Sequence, residues 1–173
     1  MRRWPRSRWR TCSLRSTTND QGEPREQRAG RQPPALARIC AAGLYQWLLA
    51  GTAPPAIRAQ LCEAGGFAKC DAEFFDALWQ GVTGEFDVLI AAFAPYLDRA
   101  PTALSPIEKS VLVIGAWELL REPDVPYRVA INEAVELAKS YGGTDGYKYV
   151  NGVLDRLAAA TRAAEVGASR AAP

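Results

Sequence analysis

The sequence predicts an all-α protein made of two packed small helical bundles, preceded by a disordered basic arm. From Ala35 onward, apolar residues recur at three- and four-residue spacing, as on the buried faces of helices. Proline and glycine divide this region into about seven segments, and none of them has the two-residue period of a strand. Short loops between amphipathic helices favour antiparallel neighbours, so two small bundles are expected.

Residues 1–34 are expected to form a disordered Arg-rich arm. They mix Arg, Ser, Gln, Gly and Pro without a sustained apolar period, so folding would bury too little surface to offset the lost chain entropy. Residues 1–38 carry ten arginines against three acidic residues, whereas the rest of the chain carries eleven basic residues against sixteen acidic ones. A basic arm on an acidic body favours nucleic-acid contact at one place, although a solvated tail or an organelle transit peptide would share this composition.

The first four helical segments lie between residue 35 and Pro95. The first spans about residues 35–50 and ends at Gly51, and the second runs from Pro54 to near Gly65. Asp71 can cap a third segment, and a fourth ends at Pro95. The apolar residues at helical spacing in these segments are Leu36, Ile39, Cys40, Gly43, Leu44, Trp47, Phe74, Phe75, Leu78, Val82, Phe86, Leu89, Ile90 and Phe93.

The later segments begin with a capping box at Ser105-Pro106-Ile107-Glu108. This fifth helix is apolar nearly all round through Leu120, which predicts that it lies at the centre of a bundle. A sixth is expected over about residues 125–141 and a seventh from about Asp145, where Gly152 predicts close approach to another helix. The helical domain is expected to span residues 35–163, with residues 164–173 as a flexible tail.

The amino-acid composition argues against several classes of function. The chain has no histidine, which removes the commonest general base and metal ligand. Its four cysteines (Cys12, Cys40, Cys62 and Cys70) form no C-x-x-C pair, so reduced thiols are expected, with no metal, cofactor or catalytic site. The most apolar run, Val111 to Trp117, is far too short to span a bilayer, and a cytoplasmic protein without membrane contact is expected.

Three stretches resemble motifs of the NusB family of transcription antitermination factors. They are LYQWLLAG at Leu44–Gly51, LSPIEKSVLVIGAWEL at Leu104–Leu119, and VPYRVAINEAVELAKSYGGTDGYKYVNGVLDRLA at Val125–Ala158. The resemblance implies two three-helix bundles that bind single-stranded boxA-type RNA together with the ribosomal protein NusE. It places the protein in the RNA polymerase antitermination complex, which reads through ribosomal RNA operons, and it implies no reaction.

The resemblance also implies site residues. Tyr45 matches the tyrosine of the first helix, and Asp145, Lys148 and Tyr149 match the RNA-contacting loop and helix start; Glu108 matches a glutamate on the NusE side. Aromatic rings stack on unpaired bases and lysines neutralise phosphates, so these residue types suit RNA. Each also has a structural alternative: the tyrosines as core edge, Asp145 and Glu108 as helix caps, and Lys148 as an ordinary surface lysine.

The chain departs from the family before residue 43. Where the family carries consecutive arginines, this sequence has Pro33, Pro34 and Ala35, which leaves Arg38 as the nearby candidate for phosphate contact. A displaced reading frame over residues 1–42 would explain this, since a neighbouring frame of GC-rich codons can encode an Arg-rich peptide in the expected register. Weak RNA binding by the chain alone is then expected.

Two alternative functions remain open at this point. One is a helical protein-interaction scaffold with weak or no RNA binding, which the missing arginines favour. The other is a NusB-like domain related to RNA methyltransferases, although the chain contains no glycine-rich cofactor turn after a strand and no cysteine in a nucleophile motif.

Overall fold

The structure, a computed structural model, describes residues 34–63, 67, 71–143 and 145–171. This part of the chain forms eight α-helices: α1 (Pro34–Ala50), α2 (Pro54–Glu63), α3 (Ala72–Gly84), α4 (Phe86–Phe93), α5 (Pro106–Arg121), α6 (Tyr127–Tyr141), α7 (Gly146–Thr161) and α8 (Ala163–Ala171). Two short 3-10 turns, Ala94–Tyr96 and Pro101–Ala103, connect α4 to α5. No strand occurs among the described residues, and the all-α prediction is confirmed. None of the helices within those ranges is long and apolar enough to cross a membrane.

Local capping explains why the helices begin where the sequence predicts. The Asp71 carboxylate accepts hydrogen bonds from the amides of Glu73 and Phe74, both at 3.1 Å, and so satisfies donors at the start of α3. At α5, the Glu108 amide donates to Ser105 Oγ at 3.2 Å and the Ser105 amide donates to Glu108 Oε2 at 2.9 Å. The predicted capping box is therefore confirmed.

Helix α5 is the shared centre of two bundles. It packs against five other helices, α1, α3, α4, α6 and α7. Every residue from 110 to 119 is buried, including Ser110, whose hydroxyl donates to the Pro106 carbonyl at 2.7 Å. The predicted central position of this helix is confirmed, and α6 and α7 form with it the bundle that carries the candidate site.

Close contacts between helices occur at Gly81 and Gly115, and not at Gly152, where one was expected. A Cβ on Gly81 would lie 1.9 Å from Trp117 Nε1, and one on Gly115 would lie 2.6 Å from Leu154 Cδ1. Gly152 has no atom within 4 Å of its Cβ position, so the prediction of close approach there is wrong. The residue lies on a half-buried part of α7 that no neighbouring helix covers closely.

The C-terminal region differs from the expected flexible tail. Helix α7 ends at Thr161, and α8 follows after Arg162 instead of an irregular chain. Val166 of α8 is 7% exposed, and the Glu165 carboxylate accepts a hydrogen bond from the Tyr127 amide at 2.8 Å, at the start of α6. Residues 164–171 are therefore a helix packed on the second bundle, because α8 has one apolar anchor and one capping carboxylate.

At the other end, the predicted arm lies almost wholly outside the described residues, whose first helix begins at Pro34. The first turns of α1 bury Leu36, Ala37, Cys40 and Ala41, at helical spacing with Leu44. Burial, with a smaller effect from Glu118, raises the pKa of the Cys40 thiol, so this cysteine is a neutral core residue. Cys62 is half-buried, whereas Cys12 and Cys70 lie outside the described residues.

Candidate nucleic-acid interface

The start of α7 presents an exposed ion pair. Asp145 occupies the N-cap position, but its side chain makes no capping hydrogen bond. Its carboxylate instead lies 2.8 Å from Lys148 Nζ, and the two side chains are 75% and 64% exposed. The structure therefore brings two of the predicted site residues together at the surface, where both remain accessible to a ligand.

Beside this pair, a groove between α6 and α7 contains a tyrosine between two lysines. We call it the Tyr147 groove; it is lined by Val135, Lys139, Tyr147, Lys148 and Asn151 and has a volume of 260 Å³. The ammonium groups of Lys139 and Lys148 lie 5.6 and 5.8 Å from the centroid of the Tyr147 ring, within cation–π distance. Lys139 also pairs with Glu136 at 2.7 Å, and this hydrogen bond raises the pKa of the lysine.

Tyr149 lies on another side of α7 and is covered by a neighbouring loop. The guanidinium carbon of Arg99 lies 4.5 Å from the centroid of the Tyr149 ring, and Arg99 Nε donates to Asp98 Oδ1 at 2.8 Å. The Tyr149 hydroxyl is shielded from solvent and makes no hydrogen bond of good geometry with a described residue. Burial, together with the nearby Asp98 carboxylate, raises the pKa of Tyr149, whereas Arg99 holds the pKa of Asp98 below its usual range.

The two candidates on α1 stand apart from this cluster. Arg38 is exposed, and Tyr45 is 39% exposed, with the exposed Leu49 one turn further on. Helix α1 packs against α5 and α6. Among the described residues, no hydrogen bond, ion pair or ring contact joins Arg38 or Tyr45 to the start of α7.

Glu108, the predicted partner residue, lies close to the loop that covers Tyr149. Its Oε2 atom is used in the capping box of α5, and its charge acts on the Arg99 guanidinium, whose pKa is raised mainly by Asp98 and to a lesser degree by Tyr149 and Glu108. Arg99 therefore contacts the candidate RNA residue Tyr149 and is also within reach of the charge of Glu108. Its side chain remains 43% exposed.

Sequence reasoning missed Tyr147, Lys139, Asn151 and Arg99. Tyr147 had a local signal, since it directly precedes Lys148, but Lys139 reaches it only because α6 packs along α7. Arg99 reaches Tyr149 across fifty residues of sequence, and nothing near either residue predicts that contact. Within the described ranges, no group of His, Cys, Asp and Glu side chains could hold a metal ion.

Comparison with known proteins gives a consistent result at the levels of family, sequence and fold. The NusB family matches residues 36–159. The transcription antitermination protein NusB of Cupriavidus pinatubonensis is 50% identical over 153 residues, covering 86% of this chain and 92% of that protein. The protein of the same name from Burkholderia ambifaria is 57% identical over 128 residues, covering 74% and 88%.

Two solved structures have similar folds. T. maritima NusB superposes with a TM-score of 0.65 at 28% identity, covering 74% of this chain and 92% of that one. A structure of the antitermination factors NusB and NusE in complex with dsRNA superposes with a TM-score of 0.67, covering 73% and 96%. At 23% identity, this second likeness concerns the fold alone.

The family match also bears on the hypothesis of a displaced reading frame. The match begins at residue 36, whereas the hypothesis extends the displaced frame to residue 42. Residues 36, 37, 40 and 41 are buried in the core at helical spacing. The hypothesis is therefore not supported for residues 36–42, and residues 1–33 lie outside the described part of the chain.

Proposed function

The chain belongs to the NusB family, and from that membership we propose that it is a transcription antitermination factor that binds boxA-type single-stranded RNA together with NusE. In this role it joins the RNA polymerase antitermination complex in the cytoplasm, promotes read-through of ribosomal RNA operons and catalyses no reaction. The observation that most supports this proposal is the 50% identity to an antitermination protein over 92% of that protein's length. So complete a match favours this role over a domain related to RNA methyltransferases.

The proposed RNA surface centres on the start of α7. Lys148 can contact a phosphate, and Asp145, paired to it, can accept a hydrogen bond from a base edge. Tyr149 supports a stacked base through Arg99, because the guanidinium already lies over the ring and itself has a planar face on which bases stack. Tyr45 and Arg38 extend the proposed surface along α1, where both are exposed.

The proposed NusE surface includes Glu108 at the start of α5. Residues 39–173 carry more acidic than basic side chains, which suits a basic ribosomal protein. The charge of Glu108 acts on Arg99, and Arg99 contacts Tyr149, so we expect NusE and RNA to bind on adjoining surfaces.

The absence of the family's arginine cluster lowers the RNA affinity expected for this chain. With Pro33, Pro34 and Ala35 at the family's arginine positions, the chain lacks several phosphate contacts, and binding of RNA by the chain alone is expected to be weak. NusE binding, which depends on later helices, is expected to be retained. RNA affinity should therefore rise strongly when NusE is present.

Titration of labelled boxA-type RNA with this protein, with and without NusE, tests the proposal. We expect a 1:1 complex with NusE in calorimetry and tighter RNA binding by the pair than by either protein. A helical scaffold without RNA affinity would bind NusE and leave the RNA affinity unchanged. Failure to bind NusE at all would contradict the proposed function itself.

A further inference from the structure

We propose that the Tyr147 groove binds one nucleotide of the single-stranded RNA, with its base stacked on the Tyr147 ring. This inference rests on the proposed function and adds a subsite on the α6 side of α7, away from Tyr149. The groove lies between two helices that pack closely along their length, so its walls are fixed by the second bundle.

The ring and its neighbours have the composition of a site for single-stranded nucleic acid. Tyr147 is half-buried, so packing holds the ring while part of it stays accessible. The two lysine ammonium groups lie within 6 Å of the ring centroid. Non-specific sites for single strands combine a stacking ring with cations that follow the backbone, and this groove brings both together.

The charge balance of the groove favours a nucleotide over an acidic peptide. Lys139 pairs with Glu136 at 2.7 Å and Lys148 pairs with Asp145 at 2.8 Å, so the lysines carry little net local charge. Exposed ion pairs of this kind contribute little, and an ammonium group has three donors, so each lysine can still contact one phosphate. Stacking on the ring, which is independent of net charge, is then the main source of affinity.

Asn151 adds a polar group at the edge of the groove. Its Nδ2 donates to Asp155 Oδ2 at 2.9 Å, which orients the amide. The amide oxygen makes no hydrogen bond with a described residue and can accept one from a base N–H. The groove therefore offers one stacking face, two phosphate contacts and one acceptor.

The position of the groove makes it continuous with the proposed RNA surface. Tyr147 and Tyr149 are two residues apart on α7, so their side chains point to different sides of the helix. Lys148 lies between them and lines the groove. A strand that crosses the start of α7 can thus contact the Tyr147 groove on one side of the helix and Arg99, which covers Tyr149, on the other.

The test compares three variants in the presence of NusE, with labelled boxA-type RNA as the probe. Tyr147→Ala should weaken binding at least about fivefold, the loss of one stacked base, whereas Tyr147→Phe should stay within about twofold. Tyr141→Ala is the matched control, since Tyr141 is 47% exposed at the end of α6 and does not line the groove, and it should also stay within about twofold. Lys139→Ala should reduce the slope of log affinity against log salt by at most about 0.7.

Equal affinities of Tyr147→Ala and Tyr141→Ala would overturn the inference, as would displacement of the RNA by an acidic peptide at the same concentration. Absence of RNA binding by the unsubstituted protein with NusE would instead overturn the proposed function. If Tyr147→Ala melts at a much lower temperature, its weaker binding could reflect a loss of folding. Cross-linking of thiouridine-containing RNA to the unsubstituted protein then tests whether RNA contacts the groove. A cross-linked peptide containing Tyr147 supports the subsite, and cross-links confined to other peptides contradict it.

Discussion

Replacing Arg162 by methionine will measure how far the end of α5 depends on one buried side chain. The Arg162 side chain is only 8% exposed and lies between α7 and α8. Its guanidinium donates to four backbone carbonyls at the end of α5 and just after it: Glu118 at 2.9 Å, Leu119 at 2.8 Å, Glu122 at 2.7 Å, and Val125. A cation at this position also suits the negative end of the helix dipole.

The expected cost follows from which carbonyls lose their donor. Glu118 and Glu122 keep backbone partners at 3.1 Å, whereas Leu119 is followed four residues later by Pro123, which has no N–H. The carbonyl of Val125 is not reached by Val129, whose amide donates to Pro126 instead. Two carbonyls are thus left unsatisfied at about 1–3 kcal/mol each, and water entering from the nearby surface reduces the total to about 2–4 kcal/mol.

Urea denaturation followed by circular dichroism measures the change in the free energy of unfolding, and thermal denaturation measures the melting temperature. For a domain of this size, the melting temperature of Arg162→Met should fall by about 6–15 °C. Arg156→Met is the matched control, because Arg156 is exposed on α7 and donates only locally, to the Gly152 carbonyl at 2.9 Å; it should change stability by less than about 0.5 kcal/mol. If the two variants differ by less than about 1 kcal/mol, the capping role assigned to Arg162 is wrong.

Three further predictions concern particular side chains. Gly81→Ala should destabilise the protein by about 1–3 kcal/mol because its Cβ would meet Trp117, whereas Gly152→Ala should stabilise it by about 0.5–1 kcal/mol; a loss at both positions in urea denaturation would refute this contrast. Glu108→Gln should keep the capping box and the melting temperature but weaken NusE binding in calorimetry, and unchanged affinity would remove Glu108 from the partner surface. Arg99 holds the pKa of Asp98 below its ordinary value of 3.8, so the ionised carboxylate should stabilise the protein above pH 3.8, and this stabilisation should be lost as the pH falls below that value. An NMR titration of Asp98 with a midpoint at or above 3.8 would contradict this.

The helix boundaries could be predicted because their signals are local. Asp71, Ser105 and Glu108 cap their helices through residues two or three positions away, and the sequence contains both partners of each hydrogen bond. The all-apolar character of α5 likewise needs no tertiary information to indicate a central position. These features account for the agreement on fold class.

The remaining features depend on contacts between residues far apart in sequence. The helix after Arg162 could not be predicted because its carboxylate anchor, Glu165, binds the amide of Tyr127, 38 residues earlier. Gly152 and Gly81 look alike in sequence, and only the position of Trp117 distinguishes them. For Tyr149 the sequence allows either base stacking or a place at the core edge, and it gives no signal for the contact with Arg99, which comes from a distant loop.

Read-through of a terminator in a reconstituted transcription reaction tests the central claim most directly. The template carries a boxA-containing leader, and the reaction contains NusE and the other antitermination factors but no member of this family. Addition of this protein is predicted to raise the read-through fraction on that template and not on one with a scrambled boxA. Read-through that does not change, or that rises equally on both templates, would contradict the assignment as a boxA-dependent antitermination factor.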